Sequence, residues 1–487
     1  MNNENKPILR KFDTKVQYLK YKVLREVARH TFDDTLPSSF NDIAKTIVKD
    51  KATMRCCIYK ERAIVAERIG MASGGHKNID NIIEVLDIAC DECPVAGYEV
   101  THTCRGCLAH RCEDVCPRGA ITFDENQKAH IDKEKCIECG MCAKVCPYSA
   151  IINTQRPCVK ACKVKAISMN ADHAAEIDES KCINCGACVY QCPWGAITDK
   201  SYIIEVVNMI KQYAGDEKVN LYAVIAPSIS GQFNYTNISL GQVVTGIKKL
   251  GFDQVVEAAL GADIVAYNEA KELAEKGFLT SSCCPAFIDF IKKNFPTLKD
   301  NISHNPSPMA AISKVIKEKD PHSKVVFIGP CTAKKAEIRK DEIKDYVDSA
   351  LTFEELQALF DSRDIDLTGL EETDVDSASF YGSASYFGRI FARCGGLAEA
   401  VQEALKEQGN SDFELNAVSC DGIDECRTAL LKASRGIGKV NFIEGMACVG
   451  GCVGGAGCLT HGPKNKIEVD KFSKTAGKSI KDAIDRL

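Results

Sequence analysis

Between Cys90 and Cys192 the chain places sixteen of its 27 cysteines within about a hundred residues, and their spacing sorts them into four groups of four. Two groups are complete CxxCxxCxxxCP runs: Cys136, Cys139, Cys142 and Cys146 before Pro147, and Cys182, Cys185, Cys188 and Cys192 before Pro193. An Ala-Ile pair follows each. This spacing binds 4Fe–4S clusters. Three thiolates on one tight loop hold three irons of a cube, and the fourth, pinned by proline, reaches the neighbouring cube. Such runs work in pairs, so the segment reads as a path for electrons.

The two runs resemble those of bacterial ferredoxins, and pairing gives an inventory. Upstream, the stretched run CRGCLAHRCEDVCP carries Cys104, Cys107, Cys112 and Cys116 before Pro117, and its partner is the run that begins at Cys136. One cube then takes Cys104, Cys107, Cys112 and Cys146; its mate takes Cys136, Cys139, Cys142 and Cys116. Cys158 and Cys162 read as the last half of a degenerate run, with Cys90 and Cys93 supplying the missing thiolates. A third cube therefore takes Cys182, Cys185, Cys188 and Cys162. The scattered set Cys90, Cys93, Cys158 and Cys192 is left for a fourth 4Fe–4S cluster or a zinc ion.

Disulfides suit small secreted scaffolds, whereas this 487-residue chain opens on MNNENKPILRKF, without the apolar core of a signal peptide. Zinc sites usually join two separated CxxC pairs, unlike the closely spaced runs that end in CP. Hydrophobic residues make up 45% of the chain, enough for two or three ordinary domains. A net charge of -5 without a concentrated basic face speaks against nucleic acid as a partner. No apolar run reaches the length of a membrane span. Abundant thiols without an export signal point to a reducing, anaerobic cytoplasm.

Residues 1–88 form a separate segment, with helical periodicity in VQYLKYKVLREVARH and FNDIAKTIVKD. Its adjacent Cys56 and Cys57 are poor geometry for a metal and read as buried free thiols. Residues 89–200 form the ferredoxin-like α+β multi-cluster domain. From about Leu221 short β-branched runs alternate with amphipathic stretches, which marks residues 201–487 as an α/β domain. LYAVIAP, KVVFIGP and KVNFIEG read as strands, followed by Ser228, Cys331 and Cys448 respectively. Cys283 and Cys284 sit in a turn before the helical AFIDFIKKNF. Ligands of open α/β sheets gather at strand carboxyl ends, so these segments aim their thiols at one crevice.

Three stretches in order, SSCCPAF around Cys283 and Cys284, PCTAKKAE from Pro330, and EGMACVGGCVGG from Glu444, resemble the signatures of FeFe-hydrogenases. With the cysteine array the resemblance covers about residues 90 to 465. Phe287, where better-known members have Trp, and the extra cysteine in GGAGCLTHGP point to the group B subfamily.

The resemblance implies a catalytic H-cluster. This is a 4Fe–4S cube on Cys284, Cys331, Cys448 and Cys452, joined through Cys452 to a diiron unit with CO, cyanide and a bridging azadithiolate. Three to four additional 4Fe–4S clusters would feed it. Lys334, Ser228 and the backbone after Pro227 would donate to the cyanides, and Met446 would line the diiron pocket. Glycines 450, 451, 454 and 455 would let the main chain approach the cluster. A proton route is implied from solvent through Glu272, Ser303 and Glu269 to Cys283. Without the resemblance, the two glutamates and Lys334 read as surface charges, and Cys394, Cys420, Cys426, Cys458 and His461 as structural residues.

The activity implied is reversible: two protons and two electrons to H2, exchanged with ferredoxin or flavodoxin as redox partner. Separate maturation proteins would build the diiron unit. The proton/H2 couple at pH 7 lies at about -410 mV, taking roughly 59 mV per pH unit. Low-potential ferredoxins lie near it, at about -400 mV. No GxGxxG fingerprint between a strand and a helix suggests a bound nicotinamide. Gly329, where many members have Met, and Met309, where a Gln is common, alter the pocket. An iron–sulfur assembly or H2-sensing relative is the alternative. A plain polyferredoxin leaves the α/β region unexplained.

Overall fold

The computed structural model describes residues 12–94, 96–233, 237–375, 383–410 and 412–487. The opening segment read above for a signal peptide lies outside these residues except for Phe12.

Three helices lead the described residues: Lys15–Phe32, Leu36–Ile47 and Ile58–Ala72. The first starts at a capping box. Thr14 accepts from the Gln17 backbone, and the Gln17 side chain accepts from the Thr14 backbone, an arrangement worth about 1 kcal/mol. Its buried Leu19, Val23, Leu24 and Val27 repeat at helical spacing. Polar contacts tie it to the helix Phe353–Ser362, far along the chain: Gln17 Nε2 donates to Glu354 at 3.0 Å, and Arg29 donates to the Asp361 carbonyl at 3.1 Å. Cys56 and Cys57 are exposed, which corrects the expectation of buried thiols. Cys57 caps the Ile58–Ala72 helix from outside, its sulfur accepting from Lys60 N at 3.4 Å.

The cysteine-rich region is built of short antiparallel pairs. In chain order its strands are β1 (Ile83–Val85), β2 (Gly97–Val100), β3 (Ile121–Phe123), β4 (Ala129–Ile131), β5 (Ile151–Thr154), β6 (Ile167–Met169), β7 (Ala175–Ile177) and β8 (Ile197–Asp199). β3–β4 and β6–β7 are matching hairpins, while β2–β5 and β1–β8 close the region's ends. β1 precedes residue 89, so the leading segment is not wholly helical. It contributes a strand to the unit that follows.

Seven further strands make two parallel sheets. They are β9 (Leu221–Ile225), β10 (Gln254–Glu257), β11 (Leu279–Thr280), β12 (Lys324–Ile328), β13 (Ser349–Leu351), β14 (Ala417–Asp421) and β15 (Phe442–Met446). The orders are β10-β9-β12-β13 and β11-β15-β14. β9 and β15 are buried along their whole length, as expected of parallel strands covered on both faces. No helix among the described residues is long and apolar enough to cross a membrane.

Candidate active site

The two parallel sheets send their carboxyl ends toward one place. β9 runs into the tight turn Pro227–Gly231, which carries Pro227 and Ser228. β11 leads to Cys283 and Cys284, β12 to Cys331, and β15 ends on Met446 before Cys448 and Cys452. Cys284 and Cys331 stand at the N-caps of helices Pro285–Asn294 and Thr332–Glu337. One cavity is lined by Pro227, Ser228, Cys283, Cys284, Cys331, Lys334, Met446 and Cys452 together.

Cys448 stands outside that lining. Its thiol is pushed well up by burial and by the charges of Cys331, Cys185, Cys284 and Cys452 around it. Burial and then neighbouring thiols likewise push Cys331 up to about 11 and Cys452 up to about 12. Four half-buried thiols that repel one another stay neutral unless a cation offsets their charge. A metal cluster supplies that charge, so the donor set fits one. The Ser228 hydroxyl is buried and has no hydrogen-bond partner among the described residues, a cost that an acceptor in the cavity would remove. The structure therefore fits the H-cluster that the resemblance implies.

Lys334 is buried, with Nζ 2.6 Å from Glu337 Oε2 and 3.5 Å from the Cys283 carbonyl. Burial pulls its pKa down, but Glu337 and then the thiols of Cys331 and Cys283 outweigh this and raise it. It is a held, charged donor at the cavity wall. Glu337 had not been singled out in the sequence; the i, i+3 spacing of Lys334 and Glu337 in PCTAKKAE was its only signal.

Behind Cys283 runs a line of polar groups. Glu269 is buried, and its Oε1 accepts from both the backbone and the hydroxyl of Ser282 at 3.1 Å. Its Oε2 has no partner among the described residues. Burial pushes its pKa up to about 7. Ser303 Oγ donates to Glu272 Oε2 at 3.2 Å. Glu272 also meets His304 Nδ1 at 2.6 Å and Lys276 Nζ at 2.8 Å. Burial would raise its pKa, but bonds from Lys276 and His304 lower it. Ser282 is a second residue that sequence reasoning missed, since nothing in SSCCPAF shows that it bonds to Glu269.

Two glycines of the last signature, Gly451 and Gly455, lie tight against neighbouring loops. A Cβ on Gly451, where φ is +84°, would lie 2.7 Å from Cys394 N. One on Gly455 would lie 2.5 Å from the Pro330 carbonyl. At these two glycines the main chain makes close approaches between protein loops. At Gly329 the Phe327 ring occupies the space a side chain would need, with its Cζ 2.5 Å from the Cβ position. Phe327 and Met309 both line the cavity. Cys420, Cys426 and Cys458 are buried core thiols, and Cys394 is half-buried. His461 ties Asp13 (2.8 Å) to the Gly455 carbonyl (3.0 Å).

Upstream, the structure gathers the cysteines into sets. Cys104, Cys107, Cys112 and Cys146 line one pocket, and Cys116, Cys136, Cys139 and Cys142 line another. Cys188 faces Cys185, Cys182 and Cys162. Cys158 faces Cys192, Cys90 and Cys93, and burial with these neighbours pushes it up to about 11. Cys185 reaches the neighbourhood of Cys284, because its loop packs on the Cys331 loop. Thr332 Oγ1 donates to the Asn184 carbonyl at 2.7 Å, and a Cβ on Gly186 would sit 2.5 Å from Ala456 Cβ.

Comparison with known proteins adds an independent line. Residues 219–456 match the family described as iron only hydrogenase large subunit, C-terminal domain. Residues 103–150 match a 4Fe-4S dicluster domain, and residues 175–198 a 4Fe-4S binding domain. Iron hydrogenase 1 of Clostridium pasteurianum is 29% identical over 395 residues, covering 71% of this chain and 68% of that protein. The periplasmic [Fe] hydrogenase large subunit of Nitratidesulfovibrio vulgaris is 29% identical over 385 residues, covering 69% and 87%. A solved variant of [FeFe]-hydrogenase HydA1 from Chlamydomonas reinhardtii aligns over 58% of this chain and 92% of its own, at 20% identity and TM-score 0.47. The family and its relatives place the chain in H2 metabolism with an iron–sulfur electron relay. It is an FeFe-hydrogenase-like enzyme with N-terminal ferredoxin-like 4Fe–4S domains.

Proposed function

We propose that this chain interconverts two protons and two electrons with H2, using an H-cluster held by Cys284, Cys331, Cys448 and Cys452. One observation carries the reading: three of those thiols share a cavity with Cys283, Lys334, Ser228 and Met446, drawn from the ends of two separate sheets. When bound, the diiron unit supplies the redox-active site at which protons and electrons combine. Lys334 and Ser228 would donate hydrogen bonds to its anionic ligands, and Met446 would line its pocket. Phe327 and Met309 narrow the cavity and exclude water.

Cys283 holds the proton nearest the reacting centre. Glu269, with a pKa raised to about 7, can hold or release a proton at neutral pH. Ser282 and Ser303 flank it, and Glu272 at the exposed end exchanges with solvent. On the electron side, Cys185 beside Cys284 makes the Cys162/Cys182/Cys185/Cys188 set the immediate donor to the catalytic cube. The Cys104 and Cys136 sets lie further upstream. A ferredoxin or flavodoxin is the redox partner, maturation proteins insert the diiron unit, and the compartment is the cytoplasm.

The test is maturation of the full chain followed by infrared spectroscopy and methyl-viologen-driven H2 evolution. CO and cyanide bands together with H2 are expected. Bands without turnover would favour a sensory relative, and no bands after maturation an assembly role.

A further inference from the structure

The set Cys90, Cys93, Cys158 and Cys192 differs from the other upstream sets in what surrounds it. Cys90, Cys158 and Cys192 are buried, and three arginines converge there. Arg156, 2% exposed, points Nη1 at Cys90 Sγ from 3.8 Å. Arg68, 4% exposed, donates to the Trp194 carbonyl at 3.1 Å, two residues past Cys192, and its Nε has no partner. Arg55 donates to the Ala89 carbonyl at 2.6 Å and stacks over the Trp194 ring at 4.6 Å.

Arg55 is offset by Asp91 and Glu92. Neither Arg68 nor Arg156 has an ion pair with a carboxylate among the described residues. A buried guanidinium without a counter-charge is costly. The neighbouring groups that can supply that charge are the four thiolates and whatever metal they bind. Two of the three arginines, Arg55 and Arg68, come from the leading helical segment, which otherwise has no part in the chemistry. Neither iron–sulfur family match includes Cys90, Cys93 or Cys158.

Around the other upstream sets the cations are exposed or half-buried: Arg105, Arg111 and the half-buried Lys128 at the Cys104 set, Arg118 at the Cys136 set, and the exposed Lys293 at the Cys182 set. Water and salt screen those charges, whereas buried ones act at nearly full strength. Reduction adds one negative charge to a cube without making or breaking a bond, so nearby buried positive charge favours the reduced form.

We propose that the leading helices cap a fourth 4Fe–4S site on Cys90, Cys93, Cys158 and Cys192, and that Arg68 and Arg156 make it the first upstream site to accept an electron. Cys158 faces Cys188, so the electron held there stands next to the set that feeds the catalytic cube. The inference rests on the iron–sulfur reading of these cysteines, not on hydrogen turnover.

The experiment is a redox titration of the full chain, reconstituted with iron and sulfide, followed by electron paramagnetic resonance and metal analysis. In the wild type one cluster signal is expected to appear at higher potential than the rest, and Cys93→Ser to remove that signal alone. Arg68→Gln and Arg156→Gln should each shift its equilibrium toward the oxidised form about tenfold, or about 59 mV for one electron. Arg68→Lys, which keeps the charge, should leave it in place. All sites reducing together in the wild type would overturn the proposal, and this needs no variant to fold. So would one zinc per chain at this site, or arginine variants that move every signal equally. H2 evolution measured alongside tells a failure here from a failure of the hydrogenase reading.

Discussion

In the proposed proton route, two side chains decide how protons reach Cys283. Glu269 is buried with one oxygen bonded twice to Ser282 and the other unpartnered. Its pKa, raised by burial to about 7, lets it carry a proton at working pH. Glu269→Gln keeps the volume and removes the titration, so turnover should fall about 100-fold or more while iron content and infrared bands stay unchanged. Wild-type rates would exclude this route. Ser282→Ala makes a finer test. Its hydroxyl donates to the carboxylate and so favours the charged form; removing it raises the Glu269 pKa further. Methyl-viologen-driven H2 evolution, which needs the protonated acid, should decline with rising pH through about 7 in the wild type and at higher pH in the variant. A profile unmoved by Ser282→Ala would take Glu269 out of the rate-limiting proton transfer.

Between elements, the Cys331 and Cys452 loops lock back to back. Gly457 N donates to the Pro330 carbonyl at 2.9 Å, and Gly451 lies against the backbone of Arg393 and Cys394. Gly451→Ala adds both a left-handed alanine and a backbone clash, together about 2–4 kcal/mol. Gly436→Ala is the control. There φ is +64° but nothing lies within 4 Å of the added carbon, so only the conformational cost of about 1 kcal/mol applies. The thermal midpoint should drop clearly in the first variant and slightly in the second; equal drops would mean that the contact has no cost. This packing was not legible in the sequence, because glycines that meet another loop look the same as glycines that face a cofactor. The strands β9, β12 and β15 were legible as β-branched runs, and so were the helices that cover them. β10, β13 and β14 were not, since three to five residues without alternation become strands only through pairing with distant neighbours. Likewise Ser282 and Glu337 acquire a role only once Glu269 and Lys334 are placed against them.

Across the molecule, a buried network of charges joins the leading segment, the end of the cysteine-rich region and the catalytic part. Lys335, fully buried, meets Asp199 at 2.8 Å and Glu355 at 2.9 Å. Lys20 from the first helix meets the same Asp199 at 2.5 Å and Glu354 at 2.7 Å. In sequence Lys335 is the second half of a KK pair with the look of surface charge; only the assembled fold turns it inward while Lys334 faces the cavity. Asp199 is the hinge of the network, and its loss leaves Lys20 with Glu354 and Lys335 with Glu355 as their remaining carboxylates. Asp199→Asn weakens two buried charge-assisted hydrogen bonds and should cost about 1–3 kcal/mol. Burial alone would raise the Asp199 pKa, but Lys20 and then Lys335 outweigh it and hold the carboxyl well below the usual carboxylate range. A carboxyl depressed in the folded state adds stability above its unfolded pKa of about 3.9, and that stability drains as pH falls below it. The wild-type thermal midpoint should therefore fall more steeply than that of Asp199→Asn as pH drops from about 5 to 3, narrowing the gap between them. A gap that stays constant across this range would show that the two lysines stabilise the fold by packing, not by their charge on Asp199.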